Sequence, residues 1–292
     1  MIHRSCVSAG VGATGSAGSL IAMVDIDAAI GFVVARGDAL DRARLSHLRT
    51  GVTPSSEVYD HIERGQTPDG GWPAKPGELV ASVDATCFRL AELDDLAGLG
   101  RPAARRALHW LIARQRPDGF WEEDRSLAGS APPWATPGDP EARFYLTSCA
   151  AFWLCVADAD GRQTDLGTRS PWADAIDGAA DALRNEIDET GTWPGFLASG
   201  WLAGVVLHRI GWFYEAARIF VALAERTRTM SAADAASLAA ALRRAGIGPD
   251  ESIVVAARER LSQTQRPDGA WPSGDDVAFD VQTTLTALRA LR

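Results

Sequence analysis

Apolar residues recur along this chain at helical spacing, three to four apart, with polar residues between them. Read with its caps and breakers, the pattern predicts helices at about 26–36, 38–49, 54–64, 82–96, 103–113, 143–157, 170–187, 198–209, 211–226, 231–245, 252–261 and 280–291. No stretch alternates as a half-buried strand must. Helices alone predict an all-α protein.

Between these helices one sentence is written three times. Its copies are Gln66-Thr67-Pro68-Asp69-Gly70-Gly71-Trp72, Gln115-Arg116-Pro117-Asp118-Gly119-Phe120-Trp121 and Gln265-Arg266-Pro267-Asp268-Gly269-Ala270-Trp271. A weaker relic, Gly191-Thr192-Trp193, lies between the second and third, with Ile187 in place of the Gln. A helical pattern precedes each full copy. The proline then removes a backbone donor and bars the residue before it from the α region, so the helix stops. Asp-Gly supplies the turn. The unit is helix, turn, aromatic plug and helix, roughly 50 residues long in the manner of helical repeats. One such hairpin cannot bury both faces, so several must stack or close into a ring.

The motif resembles the Gln-Trp repeat of squalene-hopene and oxidosqualene cyclases and of the β domain of class II diterpene cyclases, from about residue 55 to the end. The resemblance implies an (α/α)6 barrel of six hairpins around a deep apolar cavity. Two-domain cyclases are much longer, so a single barrel over 23–292 departs from them. Residues 1–22, rich in Gly, Ala and Ser, are expected to be a disordered leader.

Composition narrows the partners. A net charge of −9 without basic clusters excludes a general nucleic-acid surface. No apolar run reaches the roughly 20 residues that span a bilayer, which leaves open peripheral membrane contact through an exposed patch. Cys6, Cys87, Cys149 and Cys155 have neither zinc-type spacing nor the density of a disulfide scaffold, and a reducing cytoplasm is expected. Ten tryptophans against three tyrosines are an excess that the repeats explain in part. Oligomeric state is not legible.

In the cyclases the middle Asp of an Asp-x-Asp-Asp-Thr stretch, opening an inner helix, protonates an alkene or epoxide. Here the helix after the first repeat opens Ser82-Val83-Asp84-Ala85-Thr86-Cys87. The resemblance places Asp84 on the proton donor and Thr86 on the Thr, with Ser82 and Ala85 replacing the flanking acids. Burial would raise the carboxyl's pKa and keep its proton, whereas a helix start would lower it. A plain reading stands beside this one: Ser82 as N-cap and Asp84 as a first-turn acid.

After the third repeat, Asp280-Val281-Gln282-Thr283-Thr284 keeps the first Asp but has Gln282 at the donor position. Asp280 would cap the helix, and Gln282 could orient a polar group. The acids Asp275, Asp276 and Asp280 loosely echo a metal-binding motif of class I terpene synthases, and Asp94-Asp95 does so more weakly. The insertion Ser126–Ala142, with Trp134, suits a lid. Cavity-lining aromatic candidates are Phe88, Trp134, Tyr145 and Trp201, with Trp153 and Trp212 behind them, since aromatic faces attract carbocations.

The expected function is a small class II-type terpene cyclase or isomerase, with Asp84 as general acid. Ser82, Cys87, Phe88, Trp134, Tyr145, Trp201, Asp280 and Gln282 are the candidates for substrate contact. The substrate would be a prenyl chain of roughly C10 to C20, or a prenylated small molecule, sized for one pocket. No cofactor is expected, and Mg²⁺ enters only with a diphosphate substrate. Two rivals remain: a non-catalytic barrel that binds a lipid or protein, and a prenyltransferase-like enzyme with zinc on Asp84, Cys87 and His208. His109 and His208 lack partners at ligand spacing.

Overall fold

A computed structural model describes residues 24–162 and 170–292, so the expected leader lies outside the described residues. Twelve α-helices run through these residues. They are α1 (Ile26–Arg36), α2 (Ala39–Thr50), α3 (Ser56–Glu63), α4 (Val83–Asp94), α5 (Pro102–Arg114) and α6 (Pro140–Arg162), followed by α7 (Ala173–Glu186), α8 (Leu197–Arg209), α9 (Phe213–Arg226), α10 (Ala232–Arg244), α11 (Ser252–Thr264) and α12 (Asp280–Leu291).

The even-numbered helices pack side by side as an inner ring, α4 on α6, α6 on α8, α8 on α10, α10 on α12 and α12 on α2. The ring closes between α2 and α4 through Arg44, which pairs with Glu92 at 2.8 Å. The odd-numbered helices pack outside this ring, α1 on α2, α3 on α4, α5 on α6, α7 and α9 on α8, and α11 on α10 and α12. The fold is the α/α barrel that the repeats imply.

The repeats stitch the outer ring. In each full copy the Gln amide donates both to its own turn and to a carbonyl at the start of an adjacent outer helix. Gln66 reaches Ala103 O at 2.8 Å, Gln115 reaches Ala175 O at 2.9 Å and Gln265 reaches Asp25 O at 2.8 Å. The last of these joins the final repeat to the entry of α1 and so closes the outer ring. The turn glycine makes the approach possible. A Cβ on Gly119 would lie 2.3 Å from Gly178 O, and one on Gly269 would lie 2.2 Å from the Ala28 carbonyl carbon. Both sit at positive φ, where only glycine is unstrained.

Inside the turn, each repeat tryptophan is fully buried. The backbone N–H of Trp72, Trp121 and Trp271 donates to the hydroxyl of Thr86, Thr147 and Thr284 on the following inner helix, at 2.9, 3.0 and 3.1 Å. Thr86 thus has a structural task that recurs in every full copy. The relic at Gly191 builds the same turn, with Asp188 N donating to Thr192 O at 3.0 Å.

Two local expectations need correction. A two-stranded antiparallel ribbon pairs Trp72 with Ser82 and Pro73 with Ala81. It is too short for alternation to show, and it delivers the chain from the first repeat straight into α4. The helix after the second repeat starts at Pro140, three residues early, because proline suits a first helical turn. Among the described residues no helix is long and apolar enough to cross a membrane.

Candidate active site

The inner ring surrounds a cavity of about 720 Å³. Its wall on α4 is one helical face: Asp84, Cys87, Phe88, Ala91, Asp94 and Asp95 recur three to four residues apart. On α6 the same spacing presents Tyr145, Cys149, Phe152 and Trp153, and α8 adds Trp201 and Leu202. Small residues on α10, Ser237, Ala240 and Ala241, leave room opposite. Gln282, Thr286 and Arg289 of α12 complete the wall.

Asp84 stands at one end of this space. Its Oδ2 accepts a hydrogen bond from Trp134 Nε1 at 3.2 Å, and among the described residues it makes no ion pair. Burial raises its pKa above the ordinary aspartate value, and the Trp134 bond only partly offsets this. The neighbouring thiols and phenol are neutral near pH 7. Burial pushes the Cys149 thiol up to about 12. Burial, with Cys149 beside it, holds Cys87 well up, and Cys149 and burial do the same for the Tyr145 phenol.

The start of α4 is held by a residue that sequence reasoning missed. Glu123, itself buried, accepts from Ser82 Oγ at 2.7 Å, from Val83 N at 2.9 Å and from Asp84 N at 2.9 Å. Ser82 Oγ in turn accepts from Ala85 N at 3.0 Å. The available signal was Glu123's place two residues beyond the second repeat Trp, where the other copies carry Ala74 and Ser273.

The opposite end of the cavity is a network of paired charges. Asp94 binds Arg244 at 3.1 Å and also Arg289, which pairs with Asp95 as well. Arg244 continues to Asp160 at 2.7 Å. Arg44 bonds Glu92, and its Nη1 donates to Gln282 Oε1 at 3.0 Å. Asp94 and Asp95 are therefore arginine partners, which takes up the oxygens a metal would need.

Of the sequence candidates, the structure brings together at the cavity Asp84, Cys87, Phe88, Trp134, Tyr145, Trp201 and Gln282, with Trp153 among them. Three do not reach it: Trp212 precedes α9 with the Arg184 guanidinium over its ring, and Ser82 and Asp280 are spent elsewhere. Ser82 is buried as the N-cap of α4 and spends its hydroxyl on Glu123. Asp280 is buried and braces a turn instead of capping its helix: it pairs with Arg266 at 2.8 Å and accepts from Ser273 N at 2.8 Å. The Asp275–Asp276 segment folds locally, with Asp276 accepting from Ala278 N at 2.9 Å. His208 packs against Phe213, its ring 5.1 Å away, and His109 against Trp172. Among the described residues no three His, Cys, Asp or Glu side chains gather as metal ligands, so Asp84, Cys87 and His208 do not form the zinc site considered above.

No protein-family model matches the sequence, and no curated protein matches it either. Solved structures do. A protein from Actinoplanes is 19% identical at a TM-score of 0.57, over 91% of this chain and 97% of that one. The type II terpene cyclase MstE from Scytonema is 15% identical at 0.57, over 91% and 96%. A variant of that cyclase in complex with its substrate, geranylgeranyl dihydroxybenzoate, is 14% identical at 0.56, over 91% and 95%. At these identities the likeness is one of fold, an α/α barrel shared with that cyclase.

Proposed function

We propose that the barrel is a type II-like terpene cyclase or isomerase that protonates the terminal alkene of a prenyl chain and folds the resulting carbocation. The observation that carries this reading is Asp84. Among the described residues three carboxyls line the cavity: Asp94 and Asp95 are ion-paired with arginines, and Asp84 is not. Alkene protonation needs a carboxylic acid that keeps its proton until substrate arrives. Burial without a cation shifts Asp84 toward that state.

The surroundings suit the later steps. Phe88, Trp134, Tyr145, Phe152, Trp153 and Trp201 present aromatic rings along the wall. Their faces attract a migrating positive charge. The reaction ends when the cyclised cation loses one proton, to water or back to the Asp84 carboxylate, so the product is an isomer of the substrate. When Asp84 gives up its proton, the carbocation is the counter-charge to the new carboxylate. The Trp134 N–H already points at Oδ2 to stabilise that carboxylate.

Length fits as well. Asp84 and Asp95 are eleven residues apart on α4, about 16 Å of helix. At roughly 5 Å per extended isoprene unit, built from four carbon–carbon bonds, this spans about three units. A chain with its terminal alkene at Asp84 would place its head group against the polar far end. The prenylated aromatic acid bound by the Scytonema cyclase supports that substrate class.

A carrier without chemistry is the second reading, favoured by Ser82 and Ala85 where the cyclase motif has flanking acids. One assay separates them. The protein is incubated with dihydroxybenzoates bearing geranyl, farnesyl and geranylgeranyl chains, and the products are analysed by mass spectrometry and NMR. A cyclised isomer of unchanged mass is expected, and Asp84→Asn should slow its formation by roughly 10²- to 10⁴-fold. Bound but unchanged substrate supports the carrier, and product formed at an undiminished rate by Asp84→Asn removes Asp84 from the mechanism.

A further inference from the structure

Asp84 and Glu123 are two buried carboxyls meeting at one helix start, and only Asp84 is used in the reaction proposed above. Their surroundings differ in kind. Glu123 accepts three hydrogen bonds at 2.7–2.9 Å, from the Ser82 hydroxyl and from the backbone N–H groups of Val83 and Asp84. Asp84 accepts one bond, at 3.2 Å. Donors stabilise an ionised carboxylate, and two acids sharing a site resist being ionised together. Burial pushes both carboxyls up, and a charge on Asp84 would push Glu123 further, but three donors pull Glu123 back toward ionisation where Asp84 has one.

The helix end adds a second reason. The first N–H groups of an α-helix carry about half a positive charge, which by itself favours ionisation of a first-turn acid. Asp84 is such an acid, yet Glu123 already occupies those N–H groups. A third observation separates this from mere turn-building. The other two full repeats form the same turn with Ala74 and Ser273 at the corresponding position. An acid is not needed there to fold the repeat.

We infer that Glu123 is a positioning residue for the general acid: it holds the negative charge of the pair at the start of α4 and so keeps the proton on Asp84. This rests on Asp84 being the proton donor. The other groups facing Asp84 do not compete for the charge. Cys87 on its own helix and Cys149 and Tyr145 on α6 are held neutral near pH 7, and Trp134 does not titrate. Lys75, from the turn after the first repeat, lines the same cavity from an exposed position and makes no ion pair with Asp84.

The sign follows from which form is active. The protonated acid works, so activity holds at low pH and falls as pH rises through the Asp84 midpoint. Glu123→Gln removes the facing charge while keeping an acceptor oxygen, so the midpoint falls and the basic limb moves to lower pH. The test is a carbon-13 NMR titration of the side-chain carboxyls in the full chain, assigned with Asp84→Asn and Glu123→Gln, alongside the pH–rate profile. At pH 7 the wild type should show Glu123 ionised and Asp84 protonated, and Glu123→Gln should lower the Asp84 midpoint by about one pH unit or more. Glu123 protonated, both groups ionised, or an Asp84 midpoint unmoved in Glu123→Gln would each overturn the inference. If Glu123→Gln does not fold, the wild-type titration decides. If no prenyl substrate turns over, the titration still decides this inference, and only the function proposed above fails.

Discussion

The two ends of α4 carry the same side chain in opposite circumstances. At its C-terminal end Asp94 and Asp95 lie among Arg44, Arg244 and Arg289 and are ion-paired with them. At its N-terminal end Asp84 has a tryptophan N–H, neutral thiols and a buried glutamate, and no cation paired to it. Both lie on one wall of one cavity. An aspartate lined with arginines ties helices together, whereas an aspartate denied them is the proton donor proposed above. Residue type and helix face are equal in the two cases, and partner charge alone divides them.

The sharpest way to break the comparison is to remove each carboxyl function in turn. Asp84→Asn should lower turnover of a prenylated substrate by roughly 10²- to 10⁴-fold, the usual worth of a general acid, measured by product formation per folded molecule. Equal loss from Asp94→Asn at unchanged stability would show that the two ends are not distinct. At the paired end the expected cost is to folding. Arg289→Met strands Asp94 and Asp95, and urea unfolding should report a loss of about 3 kcal/mol, as for other broken buried pairs. No loss there would mean that the network is ornamental.

A smaller effect concerns pH and stability at the unpaired end. A carboxyl whose pKa is raised by folding binds more protons in the folded state than in the unfolded one. Its destabilising influence is absent below the ordinary aspartate value of 3.8 and grows as pH rises through the folded midpoint. Asp84→Asn should therefore melt higher than the wild type at pH 7, with the gap closing toward pH 3.8 in calorimetric scans. A variant that melts lower at neutral pH would show Asp84 to be a stabilising cap.

The smallest expected change comes from Trp134→Phe, which deletes the single donor to Asp84. That bond favours the ionised form, so its loss should raise the midpoint and move the basic limb of activity to higher pH. This is opposite in sign to Glu123→Gln. Shifts of the same sign from both variants would undo the account of how the proton is held.

Much of this molecule was legible in one dimension. Helix positions followed from apolar spacing and from proline and capping signals, which act locally. The repeat announced the barrel because Gln, Gly and Trp each do the same short-range job in every copy, down to the threonine that meets each tryptophan N–H. Errors arose where a residue's partner was distant in sequence. Ser82 and Asp280 stood at promising positions, yet they spend their polar atoms on Glu123 and Arg266. Asp94-Asp95 resembled a fragment of a metal motif until Arg244 and Arg289 arrived from α10 and α12.

By itself, then, the sequence determined the helices, their hairpins and the register that puts Asp84 at the start of an inner helix. These depend on backbone propensities and contacts within a few residues, which a string of letters preserves. Only the tertiary structure decided that Asp84 faces an aromatic cavity unpaired, and that Glu123, thirty-nine residues away, sits on the N–H groups beneath it. A carboxyl's protonation depends on burial and on charges within a few ångströms, and ring closure brings those charges from repeats far apart in the chain.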